Sequence, residues 1–168
     1  MNQSSPVPSR KSIGTDASVG RIYFHWYREP HEPKLGTIFE GILDSAGISN
    51  PLIRAEARQE VKARIQALSA GLLEYPEHVR DLTSNPHAAL FELRWSFPHL
   101  APGGFLLRLY ECEPAILGAT VVGLHLHRKE FLNLSDDDIS DKQQAHIEYA
   151  VGRYHQGKAT SWGLRGNT

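Results

Sequence analysis

The sequence is poor in cysteine, and Cys112 is the only one among its 168 residues. A single thiol cannot close an internal disulfide, so the fold must rest on a buried core, which a chain of this length can build as one domain. The longest apolar runs, such as AILGATVVGLHL at 115–126, are shorter than the roughly 20 residues that span a bilayer. No stretch has the pattern of a secretory signal either. We therefore expect a cytoplasmic protein with no membrane partner.

The sequence also lacks an excess of charge of either sign. Its formal net charge is -1, with nine histidines counted as neutral. Proteins that bind the phosphate backbone of nucleic acids usually carry an excess of Lys and Arg. Any nucleic-acid function must therefore rest on a local site.

Both ends of the chain have little apolar content. Residues 1–20 are rich in Ser, Pro and Gly, and we predict a disordered tail there, because such a segment cannot bury enough surface to offset its ordering entropy. Residues 158–168 are predicted to be a flexible C-terminal tail. One domain is expected between them, over residues 21–157.

Three segments of this domain have helical patterns. KLGTIFEGILDSAGISNP at 34–51 predicts a short helix closed by glycine. Residues 51–75 repeat apolar side chains at intervals of three and four, which predicts a helix with one buried face. Ser140 and Gln143 form a capping box that predicts a last helix over 141–156, and Gly157 is expected to end it.

Four segments favour strands. RIYFHWY at 21–27 is aromatic and β-branched, and ALFELRWSF, GFLLRLYECE and ILGATVVGLHLHRKEF follow one another with short turns between them. Consecutive strands with short links predict an antiparallel meander. The expected fold class is therefore α+β, with an antiparallel sheet of about four strands, helices packed on one face and a C-terminal helix.

Alternation along the meander predicts one apolar and one polar sheet face. Leu107 and Leu109 face one way while Arg108 faces the other, and the last strand alternates in the same manner. If the strands pair in order, cations and imidazoles converge on the polar face. They come from Arg94, Arg108, His127, Arg128 and Lys129.

This set of side chains suits phosphodiester chemistry. Cleavage of RNA needs a base for the ribose 2′-OH, cations for the charge that builds on phosphorus, and an acid for the leaving oxygen. Histidine titrates near neutrality, and arginine can bind two phosphate oxygens at once. The polar face is therefore predicted to be a phosphodiester site.

Four short motifs occur in order along the second half of the chain: ELR at 92–94, LRLY at 107–110, GLHLHRK at 123–129 and I-E-x-A-x-x-R at 147–153. Together they resemble the RelE/HigB superfamily of bacterial toxins, in particular its phage-derived, HigB-like branch. The resemblance covers roughly residues 54–156, and residues 28–50 are an insertion relative to it.

The resemblance implies a RelE-like fold and a type II toxin that cleaves mRNA, usually on the ribosome, without a metal or other cofactor. It implies a cognate antitoxin, commonly a helix-turn-helix protein. It also implies two groups of site residues. The catalytic group is Arg108, Tyr154, His155 and His127, and the RNA-binding group is Arg94, Arg128, Lys129 and Arg153.

Two other functions compete with this one. The near-neutral charge suits a non-catalytic module that keeps the fold and uses the sheet to bind a partner protein. His125 and His127 lie two apart on one strand, as metal ligands can, which suggests a metal site as a second alternative.

Overall fold

The structure is a computed structural model that describes residues 10–82 and 89–164. Its helices are α1 (Leu35–Ser45), α2 (Pro51–Ser69) and α3 (Asp136–Ala159). Its strands are β1 (Tyr23–Trp26), β2 (Val79–Asp81), β3 (Leu90–Phe97), β4 (Phe105–Cys112) and β5 (Thr120–Lys129). The predicted α+β class is confirmed.

The five strands form one sheet in the order β1-β5-β4-β3-β2. β3, β4 and β5 pair antiparallel, as the meander predicted. The expectation of about four antiparallel strands was incomplete, because β1 pairs parallel to β5 and makes the sheet mixed. The three residues of β2 form an antiparallel edge beside β3 and are too few to give a strand pattern in the sequence.

Each face of the sheet supports its own core. On one face α1 and α2 cover Leu107 and Leu109, which are fully buried. On the other face α3 packs through Ile147 and Ala150 against Tyr110 and its neighbours. The helices therefore lie on both faces of the sheet, and α3 covers part of the face predicted to be polar.

The ends of α1 and α2 follow local capping rules. Gly47, at φ 73°, follows α1, and Ile48 N–H donates to the carbonyl of Leu43, which is the arrangement of a glycine C-terminal cap. Asn50 caps α2 through Leu52 N–H, and Pro51 begins the helix. α2 ends at Ser69, six residues before the predicted end, so Leu72 is exposed.

The start and the end predicted for α3 were both wrong. Ser135, and not Ser140, is the N-cap, and it forms a capping box with Asp138. Three aspartates follow Ser135 in the first turn, where the helix dipole favours negative charge. Gly157 lies inside the helix and does not end it. The indole of Trp162 folds back onto the position where a Cβ of this residue would stand, so the position needs a glycine.

Parts of the two predicted tails are folded. Residues 13–15 and 17–19 form 3-10 turns, and the buried Ser12 hydroxyl donates to Glu113 at 2.5 Å. Trp162 is only 3% exposed and joins the core under α3. The disordered-tail prediction is therefore wrong for residues 10–20, and the flexible-tail prediction is wrong for 158–163. Residues 1–9 and 165–168 lie outside the described residues.

Across residues 10–82 and 89–164, no helix is long and apolar enough to cross a bilayer.

Candidate functional site

Two cross-strand rows of polar side chains lie on the face of the sheet that α3 partly covers. The pairing register aligns Arg94 with Arg108 and Arg108 with His127, so that these three form a charged row. The same register aligns Glu92, Tyr110 and His125 in the neighbouring row. We call the six residues the polar patch. The structure thus brings together three of the predicted site residues, Arg94, Arg108 and His127.

Glu92 compensates the two arginines of the charged row. Its Oε1 lies 3.4 Å from Nε of Arg94 and 3.4 Å from Nε of Arg108. Arg108 is 4% exposed, and its Nη1 donates to the carbonyls of Trp95 and Leu107. Burial lowers the pKa of Arg108 from its ordinary value, while Glu92 opposes that change. Arg108 is therefore a buried cation, paired with Glu92, that adds positive electrostatic potential to the patch from inside the fold.

His127 has one ring nitrogen bonded and one without a partner. Its Nδ1 lies 3.2 Å from the carbonyl oxygen of Arg128. A carbonyl only accepts hydrogen bonds, so Nδ1 carries the proton of the neutral ring and Nε2 presents a lone pair. Within the described residues that buried Nε2 has no hydrogen-bond partner. A neutral imidazole with a free lone pair has the form required of a general base.

α3 adds a third imidazole to the patch. The ring of His146 stacks on that of His127 with centroids 3.7 Å apart, and His146 Nδ1 lies 2.8 Å from Nε2 of His125. The ring of His125 in turn stacks on that of His127 at 5.3 Å. We call His125, His127 and His146 the histidine cluster. Its outermost member is His146, which is half-buried, whereas His127 is only 5% exposed.

The histidine cluster is held neutral. Burial, followed by the proximity of His146, lowers the pKa of His125 to about 4 and that of His127 to about 3. Burial also lowers the pKa of His146 from its ordinary value. The three rings therefore accept protons with difficulty in the folded protein, because three charges in one desolvated cluster would repel one another.

Two cations on this face of the sheet are partly exposed, Arg94 of the polar patch and Lys129 beside it. The Arg94 side chain is 29% exposed, and Lys129 is partly exposed near the open end of β5. Burial and the nearby Arg108 lower the pKa of Lys129. Lys129 and Arg108 are therefore close enough to influence each other electrostatically. Arg94 and Lys129 are thus the predicted phosphate-binding residues that solvent reaches on this face.

Arg128 lies on the opposite face of the sheet, contrary to the predicted convergence. Adjacent strand residues point to opposite faces, so Arg128 and Lys129 cannot share one. The Arg128 guanidinium instead lies 4.7 Å from the ring centroid of Phe105, on the α1 and α2 side. Arg128 is therefore separated by the sheet from the charged row.

Arg153 has a structural position rather than an RNA-facing one. It is 7% exposed, and its Nε donates to the carbonyl of Leu124 at 2.7 Å. One Nη donates to Glu32 at 2.8 Å and the other to the carbonyl of Tyr27. All three nitrogens of the guanidinium are thus engaged within the fold, where they join α3 to the segment after β1.

Tyr154 and His155 do not reach the polar patch. Tyr154 packs its ring at 5.7 Å from that of Trp162, and His155 is exposed. Eight residues separate Tyr154 from His146, which is about 12 Å along a helix axis. The sheet-facing stripe of α3 passes through Arg153 and Gly157 instead. The expectation that the last helix delivers Tyr154 and His155 to the basic face is therefore wrong.

The alternative of a metal site on His125 and His127 finds no preformed ligand set. In the part of the chain that the structure describes, no three His, Cys, Asp or Glu side chains are grouped to hold one metal ion. The rings of His125 and His127 are stacked nearly parallel, at 11° between planes, and so do not point their nitrogens at a common centre.

Sequence reasoning missed Glu92 and His146 as part of the site, whereas the alternation along β4 already predicts that Tyr110 shares the face of Arg108. Glu92 could have been found in the same way, because it lies two residues from Arg94 and so shares its face. His146 could not have been found in this way. Its place over β5 depends on where α3 crosses the sheet, which no local pattern specifies.

Comparisons of the chain with protein-family models, with curated proteins and with solved structures find no match.

Proposed function

We propose that the chain is the toxin of a type II toxin–antitoxin pair of the RelE/HigB kind, and that it cleaves mRNA by metal-independent attack of the ribose 2′-OH. One observation carries this proposal. Neutral imidazoles and cations lie together on one face of the sheet, and they include Arg94, Arg108 and His127 of the site residues that the resemblance implies.

We assign the roles differently from the sequence prediction. His146 is a half-buried imidazole on α3, and His125 orients it through the hydrogen bond between His125 Nε2 and His146 Nδ1. It therefore takes the place of Tyr154 and His155 as the proposed base. His127 lies behind it, with its ring stacked on that of His146, and burial lowers the pKa of His146 from its ordinary value. A neutral histidine at physiological pH can remove a hydroxyl proton without first losing its own.

The cations divide into two kinds. Arg94 and Lys129 are partly exposed and are the proposed phosphate contacts, because they can meet a substrate without leaving the fold. Arg108 is a positioning residue that fixes Glu92 and raises the positive potential from below. His127 and Arg94 stand two strand spacings apart, about 10 Å, with Arg108 between them, so the proposed phosphate contact lies across the row from the imidazoles.

The proposed partners follow from the same assignment. The substrate is mRNA in the cytoplasm, read on the ribosome, and a cognate antitoxin with a helix-turn-helix domain holds the toxin inactive. The near-neutral charge of the chain supports ribosome dependence, since the few exposed cations of the patch would bind free RNA weakly.

Inducible expression in a bacterial host tests the proposal. The wild-type chain should arrest growth and translation, and the double variant R94A/K129A should relieve the arrest. The matched control is R21A/R28A, which removes two exposed arginines outside the patch and should leave the arrest intact. Normal growth of several hosts that accumulate folded wild-type protein would contradict the proposal.

A second candidate is a non-catalytic module that binds a partner protein through this face. The burial of Arg108 and His127 and the pairing of both arginines with Glu92 favour it. Such a module would not cleave mRNA. Mapping of transcript ends after induction separates the two candidates, because only the ribonuclease creates new ends.

A further inference from the structure

A groove with an apolar lining lies on the face of the sheet opposite the polar patch. It runs between α1 and α2 and has a volume of about 330 Å³. Small-molecule sites typically enclose about 300–1,000 Å³ and are lined mainly by hydrophobic side chains. The groove has a mainly apolar lining, and its volume lies at the small end of this range. Its apolar lining comes from Leu35, Phe39, Val61, Ile65, Leu109 and Leu126.

The groove reaches the core of the protein. Leu109 and Leu126 form its floor, and they are paired residues of β4 and β5 that are 0% and 4% exposed. Phe39 of α1 and Val61 of α2 form facing walls and are nearly as well buried. Hydrocarbon atoms of a ligand that entered this groove would leave water for a mainly hydrocarbon surface, which is favourable in proportion to the area covered.

Charged side chains line the rim of the groove, and not all of them form ion pairs. Glu40 forms ion pairs with Arg54 and Arg58, and Asp44 also pairs with Arg54. These contacts lower the pKa of Glu40 to about 2, so its carboxylate is fully ionised and committed to the two arginines. Lys62 lines the same groove and makes no ion pair with any of the described residues. It leaves one uncompensated positive charge at the mouth.

We propose that this groove binds a small amphipathic monocarboxylate, with its acyl chain on Leu109 and Leu126 and its carboxylate on Lys62. The size of the groove limits the ligand to a short chain, and the single uncompensated cation selects one negative charge. The site is separate from the polar patch, because the sheet lies between them, so its occupancy does not depend on the proposed ribonuclease function.

Calorimetric titration of the full chain with octanoate tests the proposal, with 1-octanol as the probe that has the chain without the charge. Octanoate should bind saturably with one site, and 1-octanol should bind more weakly. Lys62→Gln should weaken octanoate binding about two- to fivefold, as expected for an exposed ion pair, and should leave 1-octanol unaffected. The control K158Q changes an exposed lysine on α3 and should alter neither.

Gly36 offers a way to fill the groove without disturbing the core. It lines the groove, and a Cβ built on it would meet no atom within 4 Å. Gly36→Leu should therefore lower octanoate affinity by about tenfold or more, because the new side chain occupies apolar volume that the acyl chain needs. Gly41→Leu is the matched control on α1, since its Cβ is equally unobstructed and it does not line the groove.

Three results would overturn the proposal. They are the absence of octanoate binding to the folded wild-type chain, equal affinity of the wild type and Gly36→Leu, and equal loss in Gly41→Leu. A groove that serves a partner helix instead of a small molecule would give the first of these. If Gly36→Leu does not fold, Lys62→Gln decides, because unchanged octanoate affinity in that variant contradicts the assigned headgroup contact.

Discussion

The imidazole of His146 lies on that of His127, with ring centroids 3.7 Å apart and planes 15° from parallel. This contact joins α3 to β5 and places three histidines in one desolvated cluster with His125. Protonation of any of them would place a charge against the other rings. The cluster is therefore stable only while its members are neutral, and that condition makes both stability and the proposed catalysis depend on pH.

The first prediction concerns stability in acid. The unfolded chain protonates His125 and His127 below about pH 6.5, whereas the folded chain resists until about pH 4 and pH 3. Between these values the unfolded state binds more protons, so the free energy of unfolding falls as pH falls, by up to about 1.4 kcal/mol per pH unit for each group. Urea denaturation at a series of pH values measures this change in the free energy of unfolding. His127→Gln should reduce the slope, and an unchanged slope would contradict the assignment.

The second prediction concerns Glu111, whose carboxyl is fully buried. Burial, with Glu113 nearby, raises the pKa of Glu111 well above its ordinary value. The unfolded state loses this proton above about pH 4.5 while the folded state keeps it, so wild-type stability falls as pH rises. Glu111→Gln should therefore gain stability over the wild type as pH is raised from about 5 to about 8. A gain that does not vary with pH would show that Glu111 is not held protonated.

The third prediction concerns the buried guanidinium of Arg153. Arg153→Met should lower the free energy of unfolding by about 3 kcal/mol, because it leaves Glu32 and the carbonyls of Leu124 and Tyr27 without their donor. Arg21→Met, at an exposed position, should change it by less than about 0.5 kcal/mol. Chemical denaturation compares the two, and equal effects would contradict the structural role of Arg153.

The fourth prediction uses two glycines of the same helix. Gly157→Ala should destabilise the protein by about 1–3 kcal/mol, because the new methyl group would collide with the indole of Trp162. Gly152→Ala meets no atom within 4 Å and should stabilise by up to about 1 kcal/mol through helix propensity. Thermal unfolding measures both. Stabilisation by both substitutions would show that Trp162 does not pack on Gly157.

The sequence predicted the parts of the fold that depend on local alternation. Strand side chains alternate with a period of two, so Leu107 and Arg108 point to opposite faces. The same alternation correctly predicted that Arg94, Arg108 and His127 share one face. The parts that failed depend on contacts distant in the chain. The bond from Ser12 to Glu113 spans 101 residues and folds a segment that looks disordered by composition.

Helix ends also show the limit of local reading. Ser135 and Ser140 both precede a polar residue three positions on, and the three aspartates after Ser135, which suit the first turn of a helix, were the local signal for Ser135 that the prediction passed over. Glycine commonly ends a helix, but at position 157 its missing side chain leaves room for the indole of Trp162. The predicted catalytic pair fell on the wrong turn of α3 and His146 was overlooked for a different reason, because where α3 crosses the sheet depends on tertiary packing.

The most direct test of the proposed function compares the histidines of α3 in mRNA cleavage by the purified chain in a reconstituted translation system. We expect His146→Gln to reduce the cleavage rate by about 100-fold or more, as loss of a general base does, and His155→Gln to leave the rate unchanged. Both variants must retain the wild-type circular dichroism spectrum. Full activity of His146→Gln, or loss of activity in His155→Gln alone, would contradict the histidine cluster as the catalytic centre.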